Sequence, residues 1–274
     1  MTAPAGRPAL FEAGGRRRVV LGVVHLAPLP GTPFHRPGSF PQLLDDAVEY
    51  AAALAAGGAD GCLVQSADRV YSPGEQTDPA RVAAMGLIVR AVVAAVPSHF
   101  LVGAQLMRNA VRASLAVAKV AGGSFVRATA MVGATMSTHG LVQPDPLAVA
   151  EYRQKIDAWD VGVVADIDSM HFQWLGGAPL GDVARAAQLV AVDAVCLGHR
   201  DEAVTLDKIE QVRRAAPDLP VLLAGHTNHG NAARLLARAD GAFVSTCLNC
   251  DGWAGKADVE RVRAYMDVVR SSCP

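Results

Sequence analysis

The chain has 274 residues, 51% of them hydrophobic, and a formal net charge of −1. This composition excludes intrinsic disorder, and the balanced charge excludes the basic surface on which nucleic-acid and anionic-lipid binding depend. The apolar runs are shorter than the roughly 18 residues that suggest a membrane-spanning helix, and the N-terminus has no export-signal pattern. We therefore expect a cytoplasmic protein without membrane insertion.

Short apolar runs alternate with helical segments eight times along the chain. The predicted strands lie at 19–26, 60–66, 100–107, 125–129, 162–168, 194–199, 220–226 and 241–246. The predicted helices lie at 40–56, 78–96, 110–121, 146–159, 180–190, 205–216, 228–239 and 257–269. Eight such alternations in about 250 residues predict one (β/α)₈ TIM barrel over residues 19–274, preceded by an N-terminal extension of residues 1–18.

Histidines are concentrated where this fold places its active sites, at the C-terminal ends of the strands. His25, His199 and His226 end strands one, six and seven. Four others lie in the segments that follow strands: His35, His139, His171 and His229. We expect functional roles for His25 and His171, and backbone hydrogen bonds for His35 and His229.

Other polar groups occupy the same strand ends. Alternation along strand five predicts that Asp166 and Asp168 share the inward face, opposite Arg127 on strand four. A buried Asp166–Arg127 ion pair is the structural alternative to a catalytic Asp166, and the two interpretations are compatible. The other candidates at strand ends are Gln65, Arg108, Asn109 and Thr129.

Five motifs give the chain a family resemblance. The most specific is Gly22-Val-Val-His-Leu-Ala-Pro-Leu-Pro-Gly31, followed by Gly57-Gly-Ala-Asp-Gly61, Leu106-Met-Arg-Asn109, the Arg127 strand with Gly133-Ala134 and Gly140-Leu141, and Ala239-Asp-Gly241. Together they resemble the BtpA/SgcQ family over residues 19–269. This resemblance implies a TIM barrel. One family member is linked to photosystem I biogenesis and relatives occur in sugar-utilisation gene sets, but the resemblance implies no particular reaction.

Several positions depart from the family pattern. Gln65-Ser66 stands where an acidic residue and Asn are usual, and Ala110 replaces an Asp. The glycine turns after strands seven and eight, which resemble phosphate-binding turns of other barrels, are here Ala224-Gly-His-Thr227 and Ser245-Thr246. A phosphate held by His226, Ser245 and Thr246 stays open, and an altered substrate is the natural interpretation.

Five cysteines occur, and Cys247 and Cys250 have the spacing of half a zinc site or a redox pair. Because no second pair exists and the motif follows a strand rather than opening a helix, unpaired thiols are the favoured interpretation. The loop at 130–145 is long for this fold, and we expect it to cover the barrel mouth as a lid that becomes ordered when ligand binds.

These patterns predict an enzyme of lyase, isomerase or hydrolase type that performs metal-independent acid–base chemistry on a sugar, nucleoside or related phosphate. The predicted catalytic residues are His25, Asp166 and His171. The predicted substrate-binding residues are Gln65, Arg108, Asn109, Arg127, Thr129, Asp168, His199, His226, Ser245 and Thr246. We expect no cofactor and no nucleic-acid partner. A divalent metal with barrel-hydrolase chemistry, a non-catalytic assembly role and homo-oligomerisation stay open.

Overall fold

The computed structural model describes residues 11, 13, 18–169, 172–253 and 255–271. The chain forms eight barrel strands, β1 Val19–Leu26, β2 Gly61–Ser66, β3 Leu101–Gln105, β4 Phe125–Ala128, β7 Gly162–Asp168, β8 Ala194–Leu197, β9 Val221–Leu223 and β10 Gly241–Val244. Strands β5 (Thr135–Ser137) and β6 (Gly140–Val142) form a separate two-stranded sheet. The eight barrel strands are parallel and close in the order β1-β2-β3-β4-β7-β8-β9-β10. The predicted (β/α)₈ barrel is therefore confirmed.

Helices surround the barrel, one after each of its strands. They are α1 Phe40–Ala56, α2 Pro79–Ala95, α3 Val111–Ala121, α4 Pro146–Lys155, α5 Leu180–Leu189, α6 Glu202–Ala215, α7 Ala232–Leu236 and α8 Val259–Ser271, with a short 3₁₀ turn at Thr246–Leu248. Asp78 and Asp145 cap α2 and α4 through their side chains, at the start signals that the sequence contains. None of the helices in the described part of the chain is long and apolar enough to cross a membrane.

The predicted helix boundaries differ by three or four residues at the end of α4, at the start of α6 and at both ends of α7. Helix α6 begins three residues earlier than predicted because Asp201 caps it by accepting a hydrogen bond from the Ala203 amide at 2.8 Å. Helix α7 is only five residues long. Its predicted first turn is instead a turn in which the Asn228 side chain accepts from the Gly230 amide at 2.8 Å, a local bond that competes with the helical pattern.

The lower part of the barrel interior is apolar. Inward-facing side chains of alternating strand positions pack there in one cluster, Leu21, Val23, Leu63, Phe125, Val164, Ala194, Cys196, Leu222 and Phe243, together with Phe11. The Phe11 ring lies edge-on to Phe125, with 6.0 Å between centroids. Gly103 makes room for Phe125, since a Cβ there would lie 2.3 Å from the aromatic ring. This packing leaves the C-terminal end of the barrel for the polar groups.

Candidate functional site

Three polar side chains form a row across neighbouring strands at the top of the barrel. Strand register pairs His25 with Gln65 and Gln65 with Gln105, which places their Cα atoms about 4.8 Å apart across each strand pair. All three continue the inward-facing series of their strands, above Val23, Leu63 and Gly103. The alternation that fills the lower barrel with apolar side chains therefore fills its top with an imidazole and two carboxamides.

The row lines a cavity of about 1450 Å³, larger than the roughly 300–1,000 Å³ of most small-molecule sites. Nine of the predicted site residues line it: His25, Gln65, Arg108, Arg127, Thr129, Asp166, His226, Ser245 and Thr246. Its outer part extends between α1, through Gln42, Asp46 and Tyr50, and the segment after β10, through Trp253 and Lys256. The structure thus brings most of the predicted residues to one end of the barrel.

Arg127 and Asp166 form a buried ion pair on β4 and β7. Arg127 Nη2 donates to the two carboxylate oxygens of Asp166 at 2.9 and 3.1 Å, and its Nε donates at 3.2 Å. Both side chains are less than 10% exposed. Burial opposes the charge of Arg127, but Asp166 outweighs that cost and raises the pKa of Arg127. The guanidinium also lies 4.7 Å from the Phe243 ring centroid, so it joins the polar and apolar parts of the interior.

His25 is held between two groups contributed from the end of β10. Its Nδ1 lies 3.5 Å from Ser245 Oγ, and its ring centroid lies 4.7 Å from that of Trp253. Trp253 is itself half-exposed and lines the cavity together with His25. One orientation of the imidazole is thereby favoured, as a proton-transfer group requires.

Arg108 projects into the cavity from the loop after β3. Its guanidinium lies 5.5 Å from the Tyr71 ring centroid, and Thr129 Oγ1 donates to its backbone oxygen at 2.6 Å. Burial lowers the pKa of Arg108, whereas Tyr71 and Asp166 oppose this effect. Arg69, Arg108 and Arg200 all line the cavity, and none of them forms an ion pair with a described acidic residue.

His226 occupies the turn after β9 in a left-handed conformation, with φ of 60°. Burial lowers its pKa, and Arg200 and His199 add to the effect by charge repulsion. Its Nε2 is buried and lacks a hydrogen-bond partner among the described residues. An imidazole of this kind is neutral near pH 7 and suited to bind a ligand by hydrogen bonding.

Three of the predicted binding residues, Asn109, His199 and Asp168, do not line the cavity. Asn109 instead holds the loop after β4, because its amide donates to Ala130 O and accepts from Ala130 N, each at 3.0 Å. His199 is exposed and accepts from the Asp201 amide at 3.0 Å. His171, predicted to be catalytic, lies outside the described residues.

Asp168 also points away, against the prediction that it shares a face with Asp166. The register between β7 and β8 shifts between these two residues, so Asp166 pairs with Cys196 whereas Asp168 pairs with Leu197. The bulge breaks the two-residue alternation, and Asp168 binds Lys208 Nζ of α6 at 3.0 Å. The two-residue alternation therefore does not extend to Asp168, the last residue of the strand.

The loop at 130–145 contains an antiparallel hairpin of β5 (Thr135–Ser137) and β6 (Gly140–Val142). All of this loop is described and none of it lines the cavity. The hairpin instead contacts the loop after β2, where His139 Nε2 donates to Arg69 O at 3.0 Å and packs against Tyr71. Because Arg69 and Tyr71 line the cavity, the hairpin supports the mouth indirectly rather than covering it.

The remaining histidines and the cysteines have structural contacts. His35 and His229 donate to the backbone oxygens of Pro28 and Arg261 at 2.9 Å each, as predicted. Cys247 and Cys250 are free thiols, and burial raises the pKa of Cys247 to about 11. In the described part of the chain, no three His, Cys, Asp or Glu side chains cluster in a way that could hold a metal ion.

The sequence interpretation missed several residues of the site. Gln105 continues the inward alternation of Leu101 and Gly103, so its position was a usable signal. No local signal identified Trp253, which reaches His25 from a distant loop. Nor did any signal predict the buried pair of Arg81 and Asp68, in which Arg81 Nη2 also donates to Met107 O at 2.8 Å and links the loops after β2 and β3.

Comparison with known proteins identifies the family. The BtpA family model matches residues 16–271. The chain belongs to the BtpA family. It is 30% identical to "Photosystem I biogenesis protein BtpA" of Synechocystis sp., with 95% of this chain and 91% of that protein covered. It is 32% identical to an uncharacterized protein of Archaeoglobus fulgidus, with 90% and 96% covered.

Solved structures extend the comparison of this BtpA-family chain at the level of fold. Tryptophan synthase from M. tuberculosis matches with a TM-score of 0.57 and 16% identity, covering 94% of this chain and 93% of that one. "Native KDPGal structure" matches with a TM-score of 0.55 and 14% identity, covering 92% and 95%. At such low identity these similarities show the barrel fold alone.

Proposed function

We propose that this BtpA-family chain is an enzyme that performs acid–base chemistry, of lyase, isomerase or hydrolase type, on a sugar, nucleoside or related phosphate. The observation that carries the proposal is the gathering of His25, Arg108, His226 and the Arg127–Asp166 pair around one cavity at the C-terminal end of the barrel. Burying so many ionisable groups is costly unless a ligand uses them. Active sites of this fold lie at this end.

His25 is the proposed proton-transfer group, because its ring is held by Ser245 and Trp253 and faces the cavity. Asp166 accepts hydrogen bonds from Arg127 on both oxygens, which favours a charge-stabilising role over direct proton transfer. The pair presents a fixed dipole to the charge that develops during the reaction. We propose further that no resident metal takes part, which unchanged turnover after chelator treatment would test.

Polar and anionic character is proposed for the substrate because three arginines without a described acidic partner line the cavity. The cavity volume also exceeds that of a single small sugar, which fits a nucleoside or a phosphorylated metabolite. A phosphate contact by His226, Ser245 and Thr246 is part of this proposal.

A metabolite screen tests the proposed function. The purified protein is incubated with a mixed metabolite extract, and liquid chromatography that separates isomers, coupled to mass spectrometry, follows which compounds are consumed. We expect at least one sugar, nucleoside or phosphate derivative to be consumed by the wild type and by His99→Ala, but not by His25→Ala. His99 is an exposed histidine before β3, at the opposite end of the barrel. Equal consumption by all three proteins would contradict the proposal.

An assembly role is the second candidate, favoured by the 30% identity to the Synechocystis protein named for photosystem I biogenesis. Such a role would use the surface, where Met136 and Leu141 of the β5–β6 hairpin are exposed. Complementation of a strain that lacks the protein separates the candidates. The assembly role requires that Met136→Ser with Leu141→Ser fail and His25→Ala succeed, whereas the enzyme requires the reverse.

A further inference from the structure

Two residues that line the cavity, three positions apart in the chain at the end of β3, carry buried polar atoms that lack a hydrogen-bond partner among the described residues. One is Gln105 Oε1, on a side chain that is only 3% exposed, and the other is Arg108 Nε. Both residues line the cavity. Buried carbonyl oxygens and guanidinium N–H groups are otherwise almost always bonded in folded proteins. The two atoms therefore indicate where a ligand makes polar contacts.

The two groups require opposite partners. Arg108 Nε–H can only donate, and Gln105 Oε1 can only accept. The edge of a guanidinium that contains Nε matches a carboxylate or phosphate through two parallel hydrogen bonds. A ligand that satisfies both residues must therefore offer an oxyanion together with a hydroxyl or N–H donor.

The charges around Arg108 favour an anion as well. The carboxylate of Asp166 is occupied by Arg127 on both oxygens, so this pair is neutral as a unit and Arg108 adds one uncompensated positive charge. Burial lowers the pKa of Arg108, which shows that its charged form is partly desolvated. A bound anion would offset that desolvation.

We propose that Arg108 and Gln105 recognise the anionic end of the substrate, an oxyanion group with a hydroxyl or N–H donor next to it. The inference rests on the proposed function for the statement that this ligand is turned over. The recognition itself does not depend on turnover and can be tested alone.

The experiment titrates three probes against the protein by ligand-observed NMR. Acetate and glycolate carry the same carboxylate, and glycolate adds the adjacent hydroxyl, while inorganic phosphate provides the alternative oxyanion. We expect glycolate to bind the wild type about threefold to tenfold more tightly than acetate, which is the contribution of one hydrogen bond. A comparison of the affinities for phosphate and acetate identifies which oxyanion the site prefers.

Variants assign the contacts. Arg108→Met should weaken acetate and glycolate by at least about tenfold, and Arg108→Lys, which keeps the charge but lacks the planar edge, should weaken them by a smaller factor. Weaker phosphate binding by Arg108→Met would assign phosphate to Arg108. Unchanged phosphate binding would assign it to His226, Ser245 and Thr246. Gln105→Leu should abolish only the preference for glycolate over acetate. The matched control is Arg90→Met, at an exposed arginine of α2 away from the cavity, and it should bind like the wild type.

Two outcomes would overturn the inference: none of the probes binds the wild type, or Arg108→Met binds them unchanged while folded by circular dichroism. Probe binding together with a negative metabolite screen would retain the recognition site and refute the enzyme. A positive screen in which probe binding does not depend on Arg108 would support the enzyme and refute the recognition site.

Discussion

The lower and upper parts of the barrel interior follow the same alternation of inward-facing residues but have opposite chemistry. Below, Leu21, Leu63 and Phe125 pack in an apolar cluster closed by Phe11. Above, the next inward positions carry His25, Gln65 and the other polar residues around the cavity. The difference separates two tasks along each strand: the lower residues stabilise the barrel, and the upper ones are available to a ligand. Substitutions two residues apart should therefore have different effects.

The largest expected effect is the loss of catalytic turnover when a residue of the upper barrel is replaced. His25→Ala should lower turnover by about 10²–10⁴-fold, the contribution of one general acid–base step. Its melting temperature should stay close to that of the wild type, because the imidazole is not part of the apolar cluster. Steady-state kinetics and thermal unfolding measure the two quantities. A turnover within a few-fold of the wild type at full stability would move the function away from His25.

Asp166→Asn tests a residue that is expected to contribute to both turnover and stability. Turnover should fall by about 10²-fold or more, and stability should fall by up to about 3–5 kcal/mol, because buried Arg127 loses its charged partner. Replacing both residues, with Arg127→Met and Asp166→Leu, should restore much of the stability but none of the activity. Chemical denaturation reports the first effect and kinetics the second. Restored activity in the double variant would contradict an electrostatic role for the pair.

A pair of substitutions on β2 compares the two parts directly. Leu63→Ala should cost about 2–5 kcal/mol of unfolding free energy, as truncations of buried leucines do, and leave turnover of the folded protein within a few-fold. Gln65→Leu, two residues along on the same face, should leave stability nearly unchanged and lower substrate affinity by about tenfold. If both variants lose stability alike, the separation of tasks along the strand is wrong.

The smallest effect is the pH dependence of stability at His226. Its pKa in the folded protein is below the ordinary 6.5, so under acid conditions the unfolded chain binds a proton that the folded protein does not, and stability falls as pH drops below about 6.5. The effect should be small because the side chain is partly exposed. His226→Gln should reduce the loss of melting temperature between about pH 7.5 and 5.5, whereas His99→Gln should not.

The fold was predictable because each strand is a short apolar run bounded by turn or helix signals. His25 and Arg127 followed from the position of active sites at the strand ends of this fold, and Asp166 followed from alternation along its strand. The register shift at Asp168 was not predictable, because a bulge depends on the neighbouring strand.

Contacts between distant segments were also not predictable from the sequence. Trp253 reaches His25 from more than 200 residues along the chain, and no local pattern encodes that contact. The loop at 130–145 was predicted to cover the mouth, but the hairpin that it forms contacts Arg69 and Tyr71, and this contact depends on the conformation of a second loop. Asn109 was assigned to substrate because of its position after a strand, whereas its amide is matched to the Ala130 backbone.

Isotope incorporation from labelled water separates an acid–base enzyme from a non-catalytic protein. A metabolite extract is incubated in D₂O and, in parallel, in H₂¹⁸O with the wild type, His25→Ala or His99→Ala, and mass spectrometry follows metabolites that acquire carbon-bound deuterium or ¹⁸O. Deuterium detects an isomerase, which changes no mass in ordinary water, or a lyase, and ¹⁸O detects a hydrolase. We expect the wild type and His99→Ala to label the same polar metabolite and His25→Ala to label it at least about 10²-fold more slowly. Equal labelling by His25→Ala, or labelling by none of the three proteins, would contradict acid–base catalysis at His25.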